Sequence, residues 1–168
     1  MGKIGIDATV FLGLHSNNEG QRITTKNFFV NNLSNELYFT YEQIAVCDTV
    51  IWSLHHSLQS QYYPFMDCIH TVLPFKRFGY SRRTFELLPI ESGLNFTDIL
   101  TCASTLEHEY ALFTWNKMIM QSKIVQCREM TIDNMTKELF FPDQIEQLYQ
   151  RSLAVRVDLK ILENYTQT

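Results

Sequence analysis

The sequence has no long apolar run, no glycine-rich loop and no cysteine pair, and each absence removes a class of function. No segment approaches the roughly 18 apolar residues of a membrane span. The start, Met1-Gly2-Lys3-Ile4-Gly5-Ile6-Asp7, puts an acid where a signal peptide needs an unbroken apolar stretch. Neither GxxxxGK[S/T] nor GxGxxG occurs, so the usual phosphate-cradling loops are missing. Cys47, Cys68, Cys102 and Cys127 form no Cys-x-x-Cys pair and have no histidine at zinc-finger spacing, which argues against a structural zinc site. They read as inert, reduced thiols of a cytoplasmic protein. In that setting the sequons Asn95-Phe96-Thr97 and Asn134-Met135-Thr136 carry no meaning for glycosylation. Only six glycines and four prolines punctuate 168 residues, and charged residues make up 19% with no run of five, so disordered and low-complexity classes fall away. With 14 Lys plus Arg against 18 Asp plus Glu, the net charge of -4 excludes coating of nucleic acid by bulk attraction, and any such contact must be local.

What is present is a 45% hydrophobic fraction spread along the whole length, enough for one sizeable core. A single domain over residues 1–168 is predicted, with a core of about 3–128 and a helical extension of about 140–164. Residues 3–7, continuing into Ala8-Thr9-Val10-Phe11-Leu12, read as a buried strand with Asp7 exposed at its tip. A crossover helix is expected over 20–33, a strand over 36–40, and an amphipathic helix from the repeat of Ile44, Cys47, Val50, Ile51 and Leu54. Between 57 and 91, Tyr62-Tyr63-Pro64-Phe65 and Leu73-Pro74-Phe75 should break any long helix into short ones. Thr97 as N-cap and Asp98 in the first turn open a helix to His108. Residues 111–116 and 123–127 read as strands, and 142–153 as a closing helix. Strands alternating with helices predict an α/β domain with a mostly parallel sheet, in which ligands bind beyond the carboxyl ends of the strands.

Several acids then fall at corresponding places: Asp7 after the first strand, Glu42 or Asp48 on the helix after the second, and Asp98 at the start of a later helix. Carboxylates gathered without cations are stable only if they share protons or bind a hard divalent ion, for which magnesium or manganese is the natural choice. Such an ion polarises a phosphoryl oxygen and lowers the pKa of a bound water, which phosphodiester hydrolysis requires.

Ile4-Gly5-Ile6-Asp7-Ala8-Thr9-Val10-Phe11 resembles the opening strand of PIN-domain nucleases. Leu94-Asn95-Phe96-Thr97-Asp98-Ile99-Leu100-Thr101-Cys102-Ala103 and Leu112-Phe113-Thr114-Trp115-Asn116 are similar to that family's late helix and strand. The resemblance implies a three-layer α/β/α sandwich that binds one or two Mg2+ or Mn2+ ions and cuts single-stranded or structured RNA. It places Asp7 and Asp98 as metal-binding acids, Thr9 as a hydroxyl that holds the site, and Asn116 where many members have a further Asp. An amide there keeps an oxygen ligand but loses a charge. The remaining acid is Glu42 or Asp48; six residues apart, they lie on different helical faces, and both stay open. Thr9 and Thr114 are expected to orient the carboxylates by hydrogen bonds.

Phe75-Lys76-Arg77-Phe78-Gly79-Tyr80-Ser81-Arg82-Arg83 interleaves cations with aromatics. Lys76, Arg77, Arg82 and Arg83 would meet phosphates while bases stack on the rings; the competing reading is a loop with aromatics in the core and solvated cations. His55, His56 and His70 read as structural, Trp52 and Trp115 as packing residues, and Asp67 as a minor cleft candidate. The predicted function is a metal-dependent ribonuclease, of toxin type with an antitoxin partner in one version. The alternative is a PIN-like binding or regulatory module that acts through a protein partner. A third reading is a hydrolase for a small phosphorylated substrate. Residues from 117 onward carry no motif and are assigned to a partner or a homodimer contact.

Overall fold

Ile4, Gly5 and Ile6 are buried on both faces because they form the central strand of the computed structural model, which describes residues 2–89, 93–133 and 135–162. In chain order the elements are β1 (Ile4–Ile6), α1 (Ala8–Gly13), α2 (Glu19–Asn31), β2 (Leu37–Thr40), α3 (Tyr41–Trp52), α4 (His56–Val72) and β3 (Phe75–Phe78). They continue with α5 (Arg82–Glu86), α6 (Phe96–His108), β4 (Ala111–Thr114), α7 (Lys117–Ser122), β5 (Cys127–Glu129) and α8 (Asp143–Ser152). All strands pair in parallel, in the order β3-β2-β1-β4-β5. The chain therefore builds outward from β1 in one direction, then returns to its other side for β4 and β5. In open α/β sheets the carboxyl ends of the strands that flank such a reversal, here β1 and β4, are the usual place for a ligand.

The alternation of strands and helices gives the expected α/β domain with a parallel sheet, and each face of the sheet carries its own helices, so the fold is the three-layer α/β/α sandwich that the resemblance implies. On one face Ile4, Ile6 and Phe39 pack with apolar residues of α1, α2, α3, α4 and α8. On the other, Tyr110 and Leu112 pack with Cys102 of α6 and Ile119 of α7. A Cβ at Gly5 would lie 2.2 Å from the Tyr110 ring, so the central strand needs glycine for this second layer to close.

Several local expectations change. Residues 8–13 are helix rather than strand: the Asp7 side chain accepts from Val10 N and caps α1, so the chain leaves the strand at once, and Asp7 is buried instead of exposed. Residues 56–72 form one helix despite Pro64. Tyr62, Phe65 and Ile69 anchor it to the core, while Pro64 and the Ser60 carbonyl it leaves without an amide partner lie on the exposed side. Asn95, not Thr97, caps α6. The strand placed at 123–127 begins only at Cys127, because α7 ends in Lys123 with φ of 55°. Trp52 is 65% exposed at the end of α3, whereas Trp115 packs and donates from Nε1 to Thr25 Oγ1 at 3.0 Å. Glu91, Asn134 of the second sequon and residues 163–164 of the expected extension lie outside the described residues. Among the described residues no helix is long and apolar enough to cross a membrane.

The segment after 137 closes the core. Arg22 of α2 forms paired bonds of 2.9 Å to Glu138, and Lys26, with no exposed side-chain surface, reaches Glu138 and Glu146 at 2.8 Å. Two cations buried this deeply require such acids, and hydrogen bonds from Arg22 hold the Glu138 carboxyl down at about 2. Val157 pairs with residues on either side of Ser16 through Val157 N to His15 O and Asn17 N to Val157 O, at 2.8 and 2.9 Å.

His15 is enclosed by the rings of Tyr62, Phe65 and Tyr149, with Nε2 on Ser152 Oγ at 2.8 Å and Nδ1 without a partner among the described residues. Burial first, then the charges of Arg156 and Arg22, lowers it from 6.5 to about 3. Between those values the unfolded chain binds the proton and the folded chain does not, so His15's contribution is full above 6.5 and is lost as pH falls toward 3. Chemical unfolding at neutral pH and near pH 4.5 should show the wild type losing more stability on acidification than His15→Gln; equal losses would contradict this.

Candidate functional site

Four of the helices that begin at the carboxyl edge of the sheet each bring a predicted acid or amide there. Asp7 caps α1, Glu42 sits in the first turn of α3, Asp98 in the first turn of α6, and Asn116 caps α7. Helix N-termini favour negative charge, which gives three acids a common reason to lie at this edge.

Asp7 is 2% exposed and accepts three hydrogen bonds. Its Oδ1 receives Thr9 Oγ1 at 2.5 Å and Val10 N at 3.1 Å, and its Oδ2 receives the Thr114 hydroxyl. Each threonine oxygen also accepts a backbone N–H at 2.8 Å, from Trp115 for Thr9 and from Asn116 for Thr114. With that acceptor site filled, each hydroxyl proton is directed at the carboxylate. Burial nevertheless dominates and raises Asp7 from 3.8 to about 6; Thr114, Thr9 and Val10 N pull it down, and the charge of Asp98 adds to the rise.

Asp98, 6% exposed, is held by two amides: Asn116 Nδ2 donates to Oδ1 at 2.9 Å and Asn95 Nδ2 to Oδ2 at 2.7 Å. Burial raises it against both bonds. Glu42 is half-buried and accepts from the Tyr80 hydroxyl. Burial raises it, the Tyr80 bond lowers it, and the charge of Asp98 raises it again. The charge of Asp98 thus bears on both Asp7 and Glu42. Among the described residues no ion pair includes any of them.

Of Glu42 and Asp48, Glu42 is the one that the charge of Asp98 reaches. Asp48 lies on another face of α3, where its charge bears on Tyr62 and Tyr63 of α4, and it is not among the charges that raise Asp7, Glu42 or Asp98. Asn116 departs from its expected part. Its Oδ1 accepts from Met118 N at 2.9 Å and Ile119 N at 3.3 Å, so that oxygen caps α7, and nitrogen rather than oxygen faces Asp98. Asp67 is exposed on α4 and does not join the acids. His70 packs against Phe11, Phe39 and Phe75, and burial lowers it to about 4.

The cation-rich segment divides. Lys76 and Arg77 stand exposed within the edge strand β3, beside Tyr38 and Phe39 of β2, and Arg77 is engaged by His70 Nδ1 and O at 2.9 and 2.7 Å. Phe75 and Phe78 turn into the two layers of the sandwich. Arg82 and Arg83 follow the carboxyl end of β3, on the acid side of the sheet, with Arg82 paired to Glu86 at 2.9 Å.

Three contributors carry little signal in the sequence. Buried Gln43 accepts from Ala8 N at 2.8 Å and donates to Thr101 Oγ1 at 3.0 Å, linking α1, α3 and α6 behind the acids. Asn95 is legible afterwards as an asparagine three residues before an acid, the spacing of a reciprocal cap. Tyr80 has no local signature. Among the described residues no three His, Cys, Asp or Glu side chains close tightly enough around one point to hold a metal ion. The donors still fit a hard divalent cation in kind: carboxylate oxygens, uncompensated by lysine or arginine.

Residues 1–162 match DUF6190, a family of unknown function. No curated protein matches the chain. The fold is similar to the crystal structure of PAE2754 from Pyrobaculum aerophilum, with a TM-score of 0.57 and 14% identity over 91% of this chain and 96% of that one.

Thr114 is fully buried, and its hydroxyl supports the ionised form of Asp7. Thr114→Val is expected to cost about 1–3 kcal/mol at pH 8, where Asp7 is charged, and less at pH 5, where it holds a proton. Equilibrium unfolding at both values checks this, and an equal cost at the two would contradict it.

Proposed function

The chain belongs to the DUF6190 family, and for this member we propose a PIN-like, metal-dependent nuclease that hydrolyses RNA phosphodiester bonds. One observation carries the reading. Asp7, Glu42 and Asp98 stand along the sheet's carboxyl edge, and every side-chain donor they have among the described residues is uncharged: Thr9, Thr114, Asn95, Asn116 and Tyr80. Neutral donors orient carboxylates without cancelling their charge, which leaves that charge for an external cation.

A bound Mg2+ or Mn2+ would supply a polarised phosphoryl oxygen and a water acidified toward neutrality. Asp7, Glu42 and Asp98 are the residues that would hold it. Thr9 and Thr114 fix both oxygens of Asp7, while Asn95 and Asn116 fix those of Asp98. Arg82 and Arg83 supply positive charge for the substrate backbone. Tyr41, 60% exposed beside Glu42, and Phe96, 62% exposed two residues before Asp98, offer rings for unpaired bases. A cytoplasmic setting and an antitoxin partner belong to the same proposal.

The orientation of Asn116 favours a second reading, a binding module without cleavage. With its amide nitrogen on Asp98, it satisfies that carboxylate without any ion.

Manganese-dependent cleavage of single-stranded RNA separates the two. Wild type is expected to cut, Glu42→Gln and Asp98→Asn to lose about a hundredfold or more in rate while still folded, and Asp48→Asn to stay within about twofold of wild type. A chain that binds manganese but cuts no RNA is the binding module. Equal loss in Asp48→Asn would overturn the assignment of the acids.

A further inference from the structure

Tyr80 lies in the turn between β3 and α5, outside every element that carries an acid, yet its hydroxyl donates to Glu42 Oε2. Burial and the adjacent Glu42 carboxyl keep that hydroxyl protonated well above the usual tyrosine range, against a smaller opposing effect of the Thr40 hydroxyl. Its backbone is anchored on both sides. Gly79 and Phe78 continue from the sheet, and Ser81 opens α5 with a reciprocal cap to Thr84. Ser81 Oγ donates to Glu107 Oε1 of α6 at 2.6 Å, and the Thr84 hydroxyl donates to Oε2 of the same carboxylate. The Tyr80 ring meets Phe85 edge-on, with centroids 6.3 Å apart.

Glu42 needs such a partner more than the other acids do. Asp7 and Asp98 have short side chains with both oxygens bonded, whereas Glu42 is longer, only half-buried, and among the described residues its Oε1 has no hydrogen bond. A glutamate free to change rotamer pays the entropy of ordering each time it binds a cation. One bond to a fixed neutral hydroxyl removes part of that cost and leaves Oε1 available. Lysine or arginine at position 80 would also orient Glu42, but would neutralise it and compete with the ion.

Resting on the metal-dependent reading above, we propose that Tyr80 is a positioning residue for that site: it fixes the Glu42 carboxylate for a divalent cation from the segment that also carries Arg82 and Arg83.

Manganese binding to the full chain, measured by calorimetry, tests this beside RNA cleavage. Tyr80→Phe keeps the ring and removes the donor. It is expected to weaken manganese binding about tenfold and to lower kcat while KM stays within about twofold. Arg83→Ala should do the reverse, raising KM with manganese affinity unchanged. In a Glu42→Gln background, Tyr80→Phe should cost nothing further, a non-additivity that a general loss of stability would not produce. Unchanged manganese affinity in Tyr80→Phe, or a loss of equal size in the Glu42→Gln background, overturns the positioning role. If wild type and Glu42→Gln bind manganese alike, or wild type binds none, the metal-dependent reading itself fails and this inference falls with it.

Discussion

A carboxylate taken almost wholly out of water at the end of the central strand sets the terms for everything around it. Asp7 can sit there only because α1 begins at the next residue and lends Val10 N, and because β4 runs alongside and lends Thr114. A buried carboxylate without such donors would cost several kcal/mol. The parallel pairing of β1 with β4, the early turn into α1 and the hydroxyls at positions 9 and 114 are therefore one solution to one electrostatic problem. The solution is incomplete, since burial still holds Asp7 at about 6.

That incompleteness is shared. Burial is the largest cause of the rise in Asp7, Glu42 and Asp98, and the charge of Asp98 adds to the other two. Around α2 the chain handles buried charge differently: Lys26 and Arg22 are matched by Glu138, Glu146 and Glu19. Compensated cations there bind the end of the chain to α2, and uncompensated acids stand at the carboxyl edge of the sheet. The contrast within one small fold separates charge used to close the structure from charge left without an ion-pair partner among the described residues.

Much of this was legible in the residues. Ile4-Gly5-Ile6-Asp7, the stripe of α6, the apolar run ending at Asn116 and the alternation of strand and helix predict the layered sheet and place Asp7, Asp98 and Asn116 at one edge. Local readings failed where tertiary contacts outweighed local preference. Pro64 did not break α4, because Tyr62, Phe65 and Ile69 pay more in burial than the missing amide costs on the exposed side. The interleaved rings of 75–83 divided between the two layers because alternate residues of a strand face opposite ways.

The sequence by itself determined that strands and helices alternate, since apolar periodicity reports the type of an element even where it misplaces a boundary, as it does at residues 8–13 and 123–127. Only the tertiary structure decided that the charge of Asp98 reaches Glu42 rather than Asp48, that Asn116 turns its oxygen to α7, and that Tyr80, 38 residues from Glu42 in the chain, donates to it. Those outcomes depend on how far each helix is rotated against the sheet and on where a distant turn comes to rest, and both follow from packing summed over the whole core.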